Sequence, residues 1–135
     1  MRAKDFIIES VIWNTNVDDM LPSTQFYAKK GVLVRANIHE LFQKTPRKVR
    51  LDPNDPTGGK NKIGDRVANA IQHWKQDGVM DPPVISILNG QVNFIDGRHR
   101  LVAAAQMGET EAPVIIAPAN RIKQAREILK LSKWN

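Results

Sequence analysis

The chain has 135 residues, of which 41% are hydrophobic and 25% are charged. That balance is typical of a globular protein with room for one domain. No apolar run approaches the roughly 18 residues that a membrane-spanning helix needs, and no apolar stretch near the N-terminus has the length of a signal peptide. Because the chain has no cysteine, disulfides, thiolate metal sites and thiol chemistry are excluded. We therefore expect one cytoplasmic domain over residues 1–135, without membrane contact.

The charge of the chain is basic and unevenly distributed. Lys and Arg number 20 against 14 Asp and Glu, so the net charge is +6. Solubility alone accounts for such a charge, but a basic field also attracts nucleic acid, nucleotides and acidic protein surfaces. Residues 44–66 carry +4 of the total and contain several Pro and Gly, which predicts a loop that contacts anions. The candidate nucleic-acid contacts there are Arg47, Lys48, Arg50, Lys60, Lys62 and Arg66.

The first third of the chain predicts short elements. Residues 6–13 are rich in β-branched and aromatic side chains and predict a strand, which either closes the domain's own sheet or pairs with another chain. Ser23 is a typical capping residue and predicts the start of a helix that ends at Gly31. The apolar residues 32–34 fit either a strand or a buried turn.

A capping box opens the next predicted helix. Asn37 is followed three residues later by Glu40, a spacing that predicts a short helix through Phe42. The capping box explains Glu40 well, so a catalytic role for this carboxylate is the less favoured interpretation. Residues 47–51 predict an extended segment that Pro53 ends.

The most regular helix is predicted over residues 62–76. Its apolar residues recur at helical spacing on one face, and Gly78 follows as a C-terminal stop. The stripe consists of Ile63, Val67, Ala70, Ile71 and Trp74.

A hairpin and the elements after it complete the predicted domain. Asn89-Gly90 suits both positive-φ positions of a type I′ turn and joins two strand-like segments. The remaining predictions are strands over residues 84–88, 91–95 and 114–117, a helix over 98–107 that Gly108 ends, and a last helix over about 120–131.

The segment Asp96-Gly97-Arg98-His99-Arg100 carries the clearest chemistry. The first turn of a helix leaves backbone N–H groups without acceptors and is the positive end of the helix dipole. Arginines in that turn oppose the dipole at a cost of roughly 0.3–1 kcal/mol each, unless an anion lies there. Glycine lets an anion approach the backbone closely. The pattern favours a phosphate site, although pairing of the arginines with Asp96 or Glu109 is an alternative.

Residues 94–104, Phe-Ile-Asp-Gly-Arg-His-Arg-Leu-Val-Ala-Ala, resemble the phosphate-binding segment of the ParB/sulfiredoxin superfamily. In that superfamily a strand leads into a Gly-x-(His/Arg)-Arg turn and an Ala-rich helix. The resemblance covers residues 45–118, which would form the core; residues 1–44 resemble nothing we recognise, and 119–135 would add a C-terminal helix. The implied fold is a compact α/β (α+β) domain with a small mixed sheet, in which a hairpin leads into the phosphate turn.

The resemblance also implies roles for the turn. Gly97, Arg98, His99 and Arg100 would bind the phosphate of a nucleotide such as ATP or CTP. Arg98 occupies the position of the catalytic cysteine of sulfiredoxins, so sulfinic acid reduction is excluded in this cysteine-free chain. Because about 17 residues follow position 118, we do not expect the helix-turn-helix domain of centromere-binding partition proteins.

Catalysis would need groups beside the phosphate. Asp96 is the candidate ligand for Mg²⁺ and, with His99, the candidate catalytic residue, yet Asp-Gly is also a common turn dipeptide. The Gly-Gly-Lys sequence at residues 58–60 lacks the spacing of a P-loop. Lys60 and Lys62 either contact a second phosphate or a nucleic-acid backbone, or belong to a plain solvent loop.

Three functions follow from these patterns. The leading hypothesis is a nucleotide-binding domain that hydrolyses or transfers phosphate in a DNA-associated plasmid or phage context. A nucleic-acid-binding module is the first alternative, with a nuclease between the two. The second is a protein-interaction factor, an accessory or inhibitor of a mobile element, in which the fold is a scaffold. The oligomeric state does not follow from the sequence.

Overall fold

The computed structural model describes residues 11–46, 62–76 and 78–134. Their architecture is mixed α+β, with one five-stranded sheet. The strands are β1 (Val32–Asn37), β2 (Val84–Leu88), β3 (Gln91–Asp96), β4 (Glu111–Ile116) and β5 (Leu131–Lys133). The helices are α1 (Pro22–Ala28), α2 (Ile38–Gln43), α3 (Lys62–Lys75), α4 (Arg98–Gln106) and α5 (Ile122–Ile128). No helix in these ranges is long and apolar enough to span a bilayer.

The sheet has the strand order β3-β2-β4-β1-β5 and contains both parallel and antiparallel pairs. Strands β2 and β4 run parallel, with Val84 opposite Ile115. The other neighbours are antiparallel, and β2 and β3 form the predicted hairpin. Asn89 and Gly90 have φ of 53° and 73°, the positive values that a type I′ turn requires. The mixed sheet and the hairpin that leads into the turn at Gly97 are therefore confirmed.

Successive side chains of each strand point to opposite faces of the sheet, so the buried residues are divided between the two faces. On one face, buried residues such as Ile85, Val92 and Val114 pack with residues of α2, α3, α4 and α5. On the other face, Val84 and Ile115 pack with Met20 and with residues of α1. The larger core thus holds α3 and α4 on the same side of the sheet.

The described residues of the predicted apolar stripe of α3 pack into the core, while Ile63 lies outside the described side chains. Val67, Ala70 and Trp74 are almost fully buried, and α3 lies against α4. The indole N–H of Trp74 donates to the carbonyl of Ile12 at 2.9 Å, and its ring meets that of Trp13 edge-on at 5.1 Å. This packing fixes the chain around residue 13 against α3, which in turn lies against α4.

The first predicted elements require corrections. Residues 6–10 of the predicted strand lie outside the described ranges, and Trp13 forms only an isolated bridge with Met80. Ser23 lies inside α1 rather than at its cap, because Pro22 is pre-organised for the first helical position and Leu21 precedes it as the cap. The run at 32–34 belongs to a strand. The predicted extended segment at 47–51 and the Gly-Gly-Lys loop lie outside the described residues.

The predicted C-terminal helix is too long at both ends. A 3-10 turn over Ala119–Arg121 precedes α5, and α5 ends at Ile128. Residues 131–133 instead form β5, in which Leu131 lies opposite Ala36. Pairing with the free edge of β1 satisfies the backbone groups of this segment, which a longer helix would have satisfied internally.

Candidate phosphate-binding site

The candidate site is built on the turn between β3 and α4. Gly97 caps α4 with φ of 89° and ψ of 11°, in the left-handed region. A Cβ at this position would lie 2.8 Å from Cα and Cβ of Pro83. Only glycine therefore lets the hairpin strand, Pro83 and the first turn of α4 approach so closely. The sequence pattern explains a glycine at position 97 by the close approach of an anion. The structure adds a second reason for glycine, which is the close packing against Pro83.

Two adjoining clefts open at this turn and share part of their lining. The first has a volume of about 430 Å³ and the second about 330 Å³. Both are lined by Arg66, Asp96, Gly97 and His99. Arg98 lines only the second cleft and Arg100 only the first. The structure thus brings the whole predicted phosphate segment together around one concave surface.

Arg100 is partly anchored at the edge of the first cleft. Its Nη2 lies 3.7 Å from Oδ2 of Asp96 and 3.4 Å from the carbonyl oxygen of Pro82, to which it donates. Both contacts are long. Within the described part of the chain, its Nε is buried and has no hydrogen-bond partner. The alternative interpretation, in which Arg100 pairs with Asp96, therefore holds in part. The Nε donor of Arg100 still lacks an acceptor among the described residues.

His99 is the second member of the turn with an unsatisfied nitrogen. Its Nε2 is buried and makes no hydrogen bond to any described residue. The pKa of His99 lies below its ordinary value because burial and nearby cations disfavour the imidazolium. In descending order the causes are burial, Arg98, Arg66 and Arg100, while Asp96 acts in the opposite direction. Three guanidinium groups therefore act on one imidazole, which leaves the turn strongly electropositive.

Arg66 is the predicted nucleic-acid contact that the fold brings to the site. It is exposed, lies one turn into α3 and lines both clefts. Lys62 begins α3, and nothing further is described of its side chain. The other predicted contacts lie outside the described residues: Arg47, Lys48, Arg50 and Lys60. The turn of residues 97–100 and the end of the basic stretch therefore meet at Arg66.

Several residues of the clefts carry no sequence signal for this role. Asn69, Ala70 and His73 come from α3, and Met80 comes from the segment before β2. Nε2 of His73 donates to the carbonyl of Val79 at 3.0 Å. The imidazole of His73 therefore makes a structural hydrogen bond and also lines the first cleft. Their position depends on how α3 packs against α4, which no local pattern specifies. Helical periodicity alone indicates only that Asn69 and His73 share a face of α3.

The described carboxylates show no preformed metal cluster. Within those residues, no group of three or more His, Cys, Asp or Glu side chains is close enough to hold a metal ion. Asp96 is half exposed at the cleft. Glu40 has a structural bond elsewhere, since its Oε1 accepts from the backbone N–H of Lys130 at 2.8 Å. Its backbone N–H donates to the side chain of Asn37 at 2.9 Å, which confirms the Asn37 half of the predicted capping box. The Glu40 carboxylate bonds the C-terminal segment, and no bond from it back to the N–H of Asn37 is observed among the described residues.

Comparisons with protein-family models, with curated proteins and with solved structures found no match to this chain.

Proposed function

We propose that the chain is a nucleotide-binding domain of the ParB/sulfiredoxin type, which holds a phosphate group at the N-terminus of α4. The proposal rests chiefly on the convergence of Arg66, Arg98, Arg100 and His99 on the clefts at Gly97. Backbone N–H groups of the first helical turn add to the positive field. The hairpin, turn and Ala-rich helix are also in the order that the resemblance implies.

The charge balance at the turn supports an anionic ligand. Three arginines act on His99, and Asp96 is the carboxylate that acts against them. Its ion pair with Arg100 is long and half exposed, and exposed pairs of this kind stabilise proteins by at most about 1 kcal/mol. A phosphate would offer acceptors to the unpaired Nε of Arg100 and, where that nitrogen carries a proton, to the unpaired Nε2 of His99.

The residues at the turn also fit a nucleotide with Mg²⁺. This ion commonly binds through one or two carboxylates together with the substrate's phosphates, and Asp96 is the carboxylate at the cleft. The ion would neutralise charge on the phosphates during hydrolysis or transfer. We assign phosphate binding to Arg66, Arg98, Arg100 and His99, and metal binding to Asp96. Release of phosphate from ATP or CTP, lost in Asp96→Asn while binding remains, tests the catalytic part.

Thermal unfolding with ATP, ADP, CTP, GTP and duplex DNA, each with and without Mg²⁺, tests the binding part. A ligand at 100 times its Kd stabilises the folded state by about 2.7 kcal/mol, which raises Tm by roughly 8–12 °C in a domain of this size. We expect such a rise with one nucleotide and a rise of less than half that size in Arg66→Ala.

Arg126→Ala is the matched control for this experiment. It removes the same charge from an exposed position on α5 that lines neither cleft. Its Tm should rise with nucleotide as much as that of the wild type. If millimolar nucleotide leaves the Tm of the wild type unchanged, the proposal is wrong.

Binding of a nucleic-acid backbone is the second candidate function, and the position of Arg66 favours it. This residue joins the cleft to the basic stretch of residues 44–66. A backbone binder loses affinity steeply with salt, with a log–log slope of about −0.9 for each phosphate contacted on duplex DNA. A slope of several units, with no effect of any nucleotide, would favour this function over the first.

A further inference from the structure

A third cleft adjoins the first cleft of the candidate site at Arg100. It has a volume of about 470 Å³ and shares Arg100, His73 and Met80 with that cleft. The shared residues place the third cleft next to a ligand held at the turn. The rest of its lining comes from the N-terminal segment and from the approach to β2: Asn14, Asp19, Leu21, Val79 and Asp81.

The third cleft has a different chemistry from the turn. Leu21 and Val79 line it although 67% and 48% of their surfaces are exposed. Exposed apolar side chains that line one cleft offer a contact for a flat apolar group. The exposed carboxylate of Asp19 lies in the same wall and is an acceptor for hydroxyl or amino groups.

Buried hydrogen bonds fix this wall in place. Asp81 is 8% exposed, and its carboxylate accepts from the side-chain amide of Asn14 at 3.2 Å and from the backbone N–H of Leu21 at 2.9 Å. The backbone N–H of Asn14 also donates to the carbonyl of Met80 at 2.8 Å. The segment from residue 14 to residue 21 is thereby attached to the start of β2, next to Arg100.

Charge determines which part of a ligand lies in which cleft. Asp19 and Asp81 would repel additional phosphates, whereas Arg66 and Arg98 line the clefts at the turn and would attract them. A phosphate at the turn, apolar surface next to Arg100 and a carboxylate that accepts from hydroxyl groups match the parts of a ribonucleotide. A carboxylate that accepts from ribose hydroxyls is a recurrent way to hold a nucleotide.

We propose that the cleft formed by Asp19, Leu21 and Val79 holds the nucleoside of a nucleotide whose phosphates lie at the turn of residues 97–100. This inference rests on the proposed function and extends it to the N-terminal segment, which no sequence motif connects with nucleotides. Leu21 and Val79 contact the base, and Asp19 accepts hydrogen bonds from the ribose.

Calorimetric titration of the full chain with ATP, CTP and inorganic tripolyphosphate separates the two clefts. We expect at least one nucleotide to bind about tenfold more tightly than tripolyphosphate, because burial of a base and two hydroxyl contacts add to the phosphate contacts. Asp19→Asn and Leu21→Ser should each lower the affinity for that nucleotide about three- to tenfold. The affinity for tripolyphosphate should stay unchanged in both variants.

Two exposed residues outside the third cleft provide matched controls. Asp18→Asn removes an exposed carboxylate beside Asp19 that does not line the cleft, and Leu88→Ser removes a leucine that is 56% exposed at the hairpin. Neither should change any affinity. Equal affinities for nucleotides and tripolyphosphate would overturn the nucleoside assignment and leave the phosphate site intact, whereas binding of neither ligand would overturn both.

Ribose 5-phosphate distinguishes a nucleoside cleft from a sugar cleft. We expect AMP or CMP to bind more tightly than ribose 5-phosphate, with the effect of Leu21→Ser confined to the nucleotide. Equal affinities for the sugar phosphate and both nucleotides would show that no base is bound, and would overturn the inference.

Discussion

Gly97 combines a positive φ of 89° with close packing, since a Cβ would lie 2.8 Å from Pro83. Gly97→Ala should therefore lower the free energy of unfolding by about 1 kcal/mol for the backbone conformation and by roughly 1–3 kcal/mol more for the overlap with Pro83. The change also displaces the first turn of α4, so anion binding should be lost. Urea unfolding and titration with pyrophosphate measure the two effects.

Gly90 is a matched control for the effect of Gly97. It has φ of 73°, and nothing lies within 4 Å of a Cβ built on it. Gly90→Ala should show the backbone effect alone and bind pyrophosphate like the wild type. Equal destabilisation by the two substitutions would contradict the packing that we assign to Gly97.

The protonation of His99 should couple anion binding to pH. Its pKa is lowered from the ordinary value of 6.5, with burial as the largest cause and Arg98 as the next. Without a ligand, the unfolded state binds more protons between this lowered pKa and 6.5, so stability should fall as the pH decreases through that window. An anion favours the imidazolium and therefore raises the pKa of His99 in the complex. Affinity should then rise as the pH falls from that raised pKa towards the lowered pKa of the free protein.

Sulfate is a suitable probe of this coupling because its charge stays constant over the range. We expect its affinity for the wild type to increase between about pH 8 and about pH 5, where histidines titrate. His99→Gln should make the affinity nearly independent of pH, while His39→Gln, a change on α2 outside both phosphate clefts, should not. An unchanged pH dependence in His99→Gln would exclude His99 as the group responsible.

Among the secondary-structure elements, α2 and the C-terminal segment are joined by Glu40. Its Oε1 accepts from the backbone N–H of Lys130 at 2.8 Å, just before β5. Glu40→Gln keeps an oxygen acceptor but removes its charge. It should therefore lower the free energy of unfolding by about 1 kcal/mol, the difference between hydrogen bonds to charged and to neutral groups, and should leave nucleotide affinity and turnover unchanged. Glu127→Gln, an exposed change on α5, should affect none of these. Loss of turnover in Glu40→Gln would instead support a catalytic carboxylate.

Local sequence signals predicted the helix, the hairpin and the turn that form the site. Pairing between strands that are distant in the chain could not be predicted from such signals. Asn89-Gly90 and the apolar stripe of α3 act within a few residues, so the hairpin and this helix could be predicted. Strand β5 has three residues and depends on pairing with β1, which lies about a hundred residues earlier. The turn to which we assign phosphate binding stood out by its residue types, but the places of His73 and Met80 in the cleft depend on tertiary packing.

At the scale of the whole molecule, the net charge of +6 and the local site should act on different ligands. Lys123 and Arg126 are exposed on α5 and line neither phosphate cleft. Exchange of both for Gln lowers the net charge to +4. Because charges are screened over about 8 Å at 0.15 M salt, nucleotide affinity at that ionic strength should change less than about twofold. Binding of duplex DNA at low salt should weaken, since it responds to the total field.

The same titrations with Arg66→Gln complete the comparison. This change removes one charge instead of two, yet it should lower nucleotide affinity by about tenfold or more, because hydrogen bonds to charged groups contribute about 1.5–3 kcal/mol. A local site therefore predicts a larger loss from the single substitution in the cleft than from the double substitution on α5. If the two variants lose nucleotide affinity in proportion to the charge removed, the anion is bound by the general field of the protein, and no specific phosphate site exists at the turn.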